Sequence, residues 1–264
     1  MEQKLKKILQ YFSFFNYSPT FEEIHTFFPT KITKKEREKL LKTQKYTVGE
    51  YSKKISNVKN QISKRKINSP KFKIYIKLLS FFPQIKLIGL SGSIAMMNAD
   101  LDDDIDLFII TKKKRLFTGR FLATIFAFIM GLKRKIGQKK APGKVCLNLF
   151  FDESDLTVPN HKKTEFVAHE ILQMKPIINK NNIYERFLQE NKWVLKLFPN
   201  ATVPVIPAKA GIQSKIITFS ISNKIESFLK NLQLRLINRH RTTEIVTDSQ
   251  LWFHPDDFGK KIKA

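Results

Sequence analysis

The chain has 264 residues, 48 Lys and Arg against 23 Asp and Glu, a formal net charge of +25, 42% apolar residues and a single cysteine. That length and apolar content suffice for one large domain or a core with small appendages, and they exclude a disordered tail or a disulfide-stapled miniprotein. Cys146 has no partner for an internal disulfide, and no Cys/His cluster has zinc-ligand spacing, so structural zinc is not expected.

Residues 1 to 50 read as a helical, winged-helix-like unit. Leu5, Ile8, Leu9 and Phe12 recur at helical spacing. Thr20-Phe21-Glu22-Glu23 is a capping box that opens a second helix, closed by Pro29, and Thr33-Lys34-Lys35-Glu36 repeats the signature ahead of Leu40 and Leu41. The β-prone Tyr46-Thr47-Val48 and Gly49 follow as a candidate wing. Units of this kind either bind DNA through the third helix or pack against an enzyme core, and packing is the preferred reading. The lysines near Met1 precede an apolar stretch broken by Gln10 and Ser13, with no small-residue cleavage site, so no signal peptide is expected.

Residues 51 to 200 carry the core pattern. A helical stretch over 52–82 is expected to break at Ser69-Pro70, because a residue before proline avoids the helical region. A strand follows over Ile85 to Leu90, then a Gly/Ser turn, a short helical stretch, an acidic loop and a second strand over Ile105 to Thr111. An apolar helix over 116–132, a basic loop ending in Ala141-Pro142-Gly143 and a third strand over Val145 to Phe151 complete a mixed α/β core. Glu165 to Met174 and Tyr184 to Leu197 read as helices. The longest apolar run, Phe121 to Leu132, has 12 residues, short of the roughly 20 that span a bilayer. It reads as a buried helix, with a membrane-surface helix as the second option, so no membrane span and a cytoplasmic location are expected.

Residues 201 to 215 read as a linker rich in proline. Within it, Val205 to Gln213 resembles the peptide encoded by interspersed repeats of some bacterial genomes, which implies a tolerated surface insertion. Residues 216 to 264 form a C-terminal helical segment, in which Ser222 to Arg239 places Ile225, Phe228, Leu229, Leu232 and Leu236 on one face. The positive charge would draw polyanions such as RNA, DNA or nucleoside triphosphates. Most of it is lysine, spread along a chain also rich in Ile, Asn and Phe, so a nucleic-acid footprint and a plain solvated surface stand as equal readings.

The chemistry lies in Gly89-Leu90-Ser91-Gly92-Ser93, ten residues of spacer, and Asp104-Ile105-Asp106-Leu107. Asp104 and Asp106 are two apart at a strand start, so the pleat puts both carboxylates on one face. Such a pair repels itself unless a cation lies between, and Mg²⁺ is expected because it takes oxygen ligands and accepts phosphate oxygens. Gly92 lets the backbone approach a phosphate, and Ser93 adds a hydroxyl where free amides at a helix start favour anions. An EF-hand beginning at Asp100 is rejected, since Ile105 and Thr111 stand where Gly and Glu are required. Asp100, Asp102 and Asp103 read as solvent-facing loop acids, and the bland alternative for the whole segment is a solvated acidic turn. His161, His169, His240 and His254 each stand alone, and Trp193 and Trp252 read as core residues.

This segment resembles the signature of the nucleotidyltransferase superfamily with the DNA polymerase β-like fold. That signature is a hydrophobic residue, Gly, Gly or Ser, about ten residues, then Asp, a hydrophobic residue, and Asp or Glu. The whole chain looks like an uncharacterised bacterial group that joins a winged-helix-like unit to this domain. Tyr11-Phe12-Ser13-Phe14-Phe15-Asn16-Tyr17, Cys146-Leu147-Asn148 and Phe253-His254-Pro255-Asp256-Asp257 look familiar in that context. The resemblance implies an α/β, more closely α+β, core with a small mixed sheet, and an enzyme that moves a nucleoside monophosphate from an NTP to an unidentified acceptor. It implies that Gly92 and Ser93 hold the triphosphate while Asp104 and Asp106 bind two Mg²⁺ ions. A third carboxylate is usual on a neighbouring strand, where this sequence has Asn148 as a metal ligand without charge, with Asp152 as substitute. The alternatives are a catalytically weak or inactive protein of this fold that binds nucleic acid or a protein partner, and a DNA-binding regulator led by residues 1 to 50. Acceptor, base preference and oligomeric state are not encoded legibly.

Overall fold

The computed structural model of the protein describes residues 1–43, 50–135, 138, 140–203, 222–239 and 244–253. Tyr46 to Gly49, most of the linker including Val205 to Gln213, His240 and the segment from His254 onward lie outside the described residues. The described part is mixed α/β, with eleven helices and one six-stranded sheet.

The N-terminal unit contains α1 (Glu2–Phe14), α2 (Phe21–Thr26) and α3 (Lys34–Thr43). The capping box forms as its sequence requires. Thr20 accepts from the Glu23 amide, and the Glu23 carboxylate accepts from the Thr20 amide. Leu5, Ile8 and Phe12 are buried together with Ile24, Phe27 and Phe28, and they join a core that continues through Leu87, Phe108 and Phe151 on one face of the sheet. Residues 1–43 are therefore packed on the sheet-bearing core.

Helix α4 (Glu50–Ile67) and α5 (Pro70–Ser80) meet at the expected break. Ser69 caps the Phe72 amide, and Pro70 takes the first helical position, where its missing N–H costs no bond. Then come β1 (Ile85–Leu90), the short α6 (Gly92–Ala95), β2 (Ile105–Thr111), α7 (Leu116–Ile129) and β3 (Val145–Asp152). Beyond them lie α8 (Glu165–Gln173), β4 (Lys175–Asn179), α9 (Ile183–Glu190), α10 (Val194–Leu197), α11 (Asn223–Asn238), β5 (Ile245–Val246) and β6 (Gln250–Trp252).

The sheet order is β4-β1-β2-β3-β6-β5, with β2 and β3 parallel and every other neighbour antiparallel. The parallel pair needs a crossover, and α7 supplies it by packing on both strands. Its opposite face rests on α11, where Glu226 accepts from the Phe117 and Thr118 amides at the free N-terminus of α7, at 2.8 and 3.0 Å.

The structure departs from the sequence expectation in three places. The apolar helix stops at Ile129, because Gly131 turns with φ +65°. The stretch Tyr184 to Leu197 splits into α9 and α10 around Asn191, which is buried and accepts from the Val158 amide while donating to the Leu156 and Phe187 carbonyls. Three strands, β4, β5 and β6, were absent from the expected set. Among the described residues no helix is long and apolar enough to cross a membrane.

Candidate active site

The register between β1 and β2 builds the site. Leu90 pairs with Leu107, and the Ser91 amide donates to the Asp106 carbonyl at 3.1 Å, which folds the Gly92 turn over the start of β2. Gly92 has φ +59°, and a Cβ built there would lie 2.7 Å from Asp106 Oδ2. Glycine is required twice over, for its left-handed backbone and for the room it leaves the carboxylate.

On the other side of β2, Asp106 pairs in parallel with Cys146 of β3. Donor atoms of Asp104, Asp106 and Cys146 all lie within 4.8 Å of one another. Asp104, just before the strand, is held by Arg134, whose Nη1 donates to its Oδ2 at 2.6 Å. The acidic loop preceding it is fastened from α4. Lys66 donates to the Asp100 and Asp103 carbonyls, and Lys59 pairs with the Asp100 carboxylate at 3.3 Å.

Two groups at the site had no place in the sequence reading. Glu170 of α8 accepts from the Ser91 hydroxyl at 2.8 Å and the Gly92 amide at 3.2 Å, so a carboxylate of the chain itself takes the amide foreseen for a phosphate. Arg134 lies in the basic loop after the apolar helix, where the sequence singles out no residue. Burial pushes the Asp106 carboxyl well above the ordinary range, and the nearby Asp104 and Glu170 push it the same way. Burial also raises Glu170, against the two hydrogen bonds that favour its charge. Cys146 is raised by burial and then by the two aspartates, which keeps it a neutral thiol.

Asp104, Asp106 and Gly92 thus come together as the spacing suggested. Ser93 lines the same cavity, but its hydroxyl donates to the Asp103 carboxylate at 2.9 Å, which also accepts from the Asp100 amide. Asp103 is therefore a loop-shaping acid as well as a half-buried one. Asn148 does not line the cavity. The register breaks between Asp106 and Phe108, which leaves Leu147 and Asn148 opposite Leu107 alone, and this bulge takes Asn148 out of the row headed by Cys146. Asp152 is no substitute. It sits beside Thr111 at the far end of the strand, is buried, and accepts from the Lys114 and Ser154 amides.

The donor chemistry fits a hard divalent cation. Two carboxylates a few ångströms apart offer oxygen ligands that suit Mg²⁺, while a neutral thiol adds little to such an ion. Asp104 and Asp106 open into a cavity of about 380 Å³ between the sheet, α8 and the end of α1. Compared with known proteins, the chain matches no family model, no curated protein and no solved structure.

Proposed function

We propose that the protein is a Mg²⁺-dependent nucleotidyltransferase that moves a nucleoside monophosphate from an NTP to an acceptor hydroxyl. The observation that carries this reading is the approach of Asp104 and Asp106 to within 4.8 Å beside a glycine turn that touches Asp106. The resemblance of Leu90-Ser91-Gly92-Ser93 and Asp104-Ile105-Asp106 to the polymerase β-like signature points the same way.

In this reading Asp104 and Asp106 hold the divalent ion, which when bound neutralises phosphate charge and lowers the pKa of the acceptor hydroxyl. The acceptor oxygen bonds to the α-phosphorus, the bond from that phosphorus to the bridging oxygen breaks, and pyrophosphate leaves with the electron pair. The hydroxyl proton passes to a carboxylate of the site. Arg134 must leave Asp104, or share it with the ion, and Glu170 must yield the Gly92 amide to the triphosphate. Asn148 plays no part, so the chain brings two acids to the ion from β2 and its approach, with Glu170 adjoining them from α8.

A second reading draws on the same contacts. Arg134 on Asp104 and Glu170 on Gly92 already fill the cation and anion positions, as they would in a protein that keeps the constellation and binds without turnover. The deciding experiment incubates the protein with each α-labelled NTP, Mg²⁺ and cell extract. Transfer of label that Asp106→Asn abolishes supports the enzyme; no transfer with any NTP, or transfer retained in the variant, refutes it.

A further inference from the structure

Phe15, just after α1, and Phe166, in the first turn of α8, both line the cavity and stack on one another, with ring centroids 6.3 Å apart and planes 27° from parallel. Both are half-buried and keep accessible surface, whereas Phe12, one turn earlier on α1, is fully buried. Each ring is tied to the glycine turn by a short path of its own. Residues four apart on a helix lie on one face, so Phe166 stands one turn, about 6 Å, from Glu170, whose carboxylate accepts from the Ser91 hydroxyl and the Gly92 amide. Phe15 is reached from the same turn through the buried Asn98. Its backbone amide donates to the Ser93 carbonyl at 2.9 Å, and its side-chain Nδ2 donates to the Phe15 carbonyl at 3.1 Å.

We infer that Phe15 and Phe166 are a stacking platform for the nucleobase of the NTP, so that the N-terminal unit supplies part of the nucleotide site. The inference deepens the nucleotidyltransferase reading and rests on it for the identity of the ligand. With the triphosphate at Gly92 and Ser93, the base lies one ribose away from the α-phosphate, and these two rings are aromatic surface fastened to that same turn. Packing alone does not require them to stay open. The joint between the N-terminal unit and α8 is already filled by His169, sandwiched between Tyr11 and Phe27 at 3.8 and 4.1 Å. Every base has a π-face, so a phenylalanine platform accepts all four, and its grip grows with stacking strength from pyrimidine to purine.

The test compares two ligands by isothermal titration calorimetry in Mg²⁺: α,β-methylene-ATP, whose carbon bridge blocks transfer, and inorganic tripolyphosphate, which has the phosphates without the base. Phe15→Leu and Phe166→Leu keep an apolar side chain and remove the π-face. Each is expected to weaken the ATP analogue about tenfold while leaving tripolyphosphate within about twofold, and Phe166→Trp is expected to restore the parent affinity. Circular dichroism melts check folding, and Phe166→Met replaces a leucine variant that does not fold. Unchanged analogue affinity in the folded variants, or equal losses for analogue and tripolyphosphate, overturns the inference. So does a loss confined to transfer of label, with analogue binding intact, which would give the rings to the acceptor. The two readings separate cleanly. Analogue binding that depends on the rings, without transfer of label to any acceptor, keeps the platform and removes the enzyme. Transfer of label with analogue binding indifferent to the rings does the reverse, and a parent that binds neither ligand overturns both.

Discussion

Replacing Gly92 by alanine tests how closely the turn approaches the acids. Two costs apply. An L-residue held at φ +59° pays about 1–2 kcal/mol for the left-handed backbone. The new Cβ also meets Asp106 Oδ2 at 2.7 Å, so carboxylate or turn must move, an overpacking cost of about 1–3 kcal/mol. Gly131 provides the control, because its φ is +65° and nothing lies within 4 Å of a Cβ there, so Gly131→Ala pays only the backbone cost. Gly92→Ala should therefore destabilise the protein by about 3 kcal/mol and Gly131→Ala by about half as much. In thermal denaturation the melting temperature should drop by about 6–12 °C and 3–6 °C respectively. Equal losses for the two alanines would refute the contact between the turn and Asp106.

Three further outcomes follow from contacts elsewhere. His169 is stacked between the Tyr11 and Phe27 rings at 3.8 and 4.1 Å, and burial lowers its pKa from 6.5 to about 3. The unfolded chain binds the extra proton between these values, so stability falls as pH drops below 6.5. By pH 5 this one group costs about 2 kcal/mol, and urea melts at pH 7 and pH 5 should show that extra loss in the parent but not in His169→Phe. Asn191→Ala strands the Val158 amide and the Leu156 and Phe187 carbonyls in the core, and urea denaturation should record a loss of about 3–5 kcal/mol. Glu226→Ala frees the start of α7 from α11; a loss of about 2 kcal/mol is expected in the same assay, and Glu226→Gln should restore part of it.

Much of this architecture is legible in the sequence where local rules act alone. The two capping signatures, the Ser69-Pro70 break and the strands over Ile85 to Leu90 and Ile105 to Thr111 need only period, cap and proline chemistry. β4 was missed because Lys175-Pro176-Ile177-Ile178-Asn179 is a largely exposed edge strand, short and carrying a proline, and its pairing with β1 is a tertiary event. β5 and β6 are too short to show a period. At the site, the acid pair and the glycine could be found because they lie on consecutive elements joined by one loop. Glu170 could not, since it sits among apolar residues on a helix far along the chain and reaches the turn only through packing. Arg134 was hidden in a lysine-rich run, where nothing in the sequence distinguishes a cation that turns inward. The bulge that moves Asn148 aside depends on how β3 meets β2, and one strand's sequence does not contain that register.

The central claim is that Asp104 and Asp106 together hold a divalent ion. Titration of the purified protein with Mn²⁺, followed by electron paramagnetic resonance of the free ion and competed with Mg²⁺, measures it directly. Stoichiometric binding that Mg²⁺ displaces and that weakens at least tenfold in Asp106→Asn is the predicted result. Equal binding by parent and variant, or none by the parent, would contradict the account.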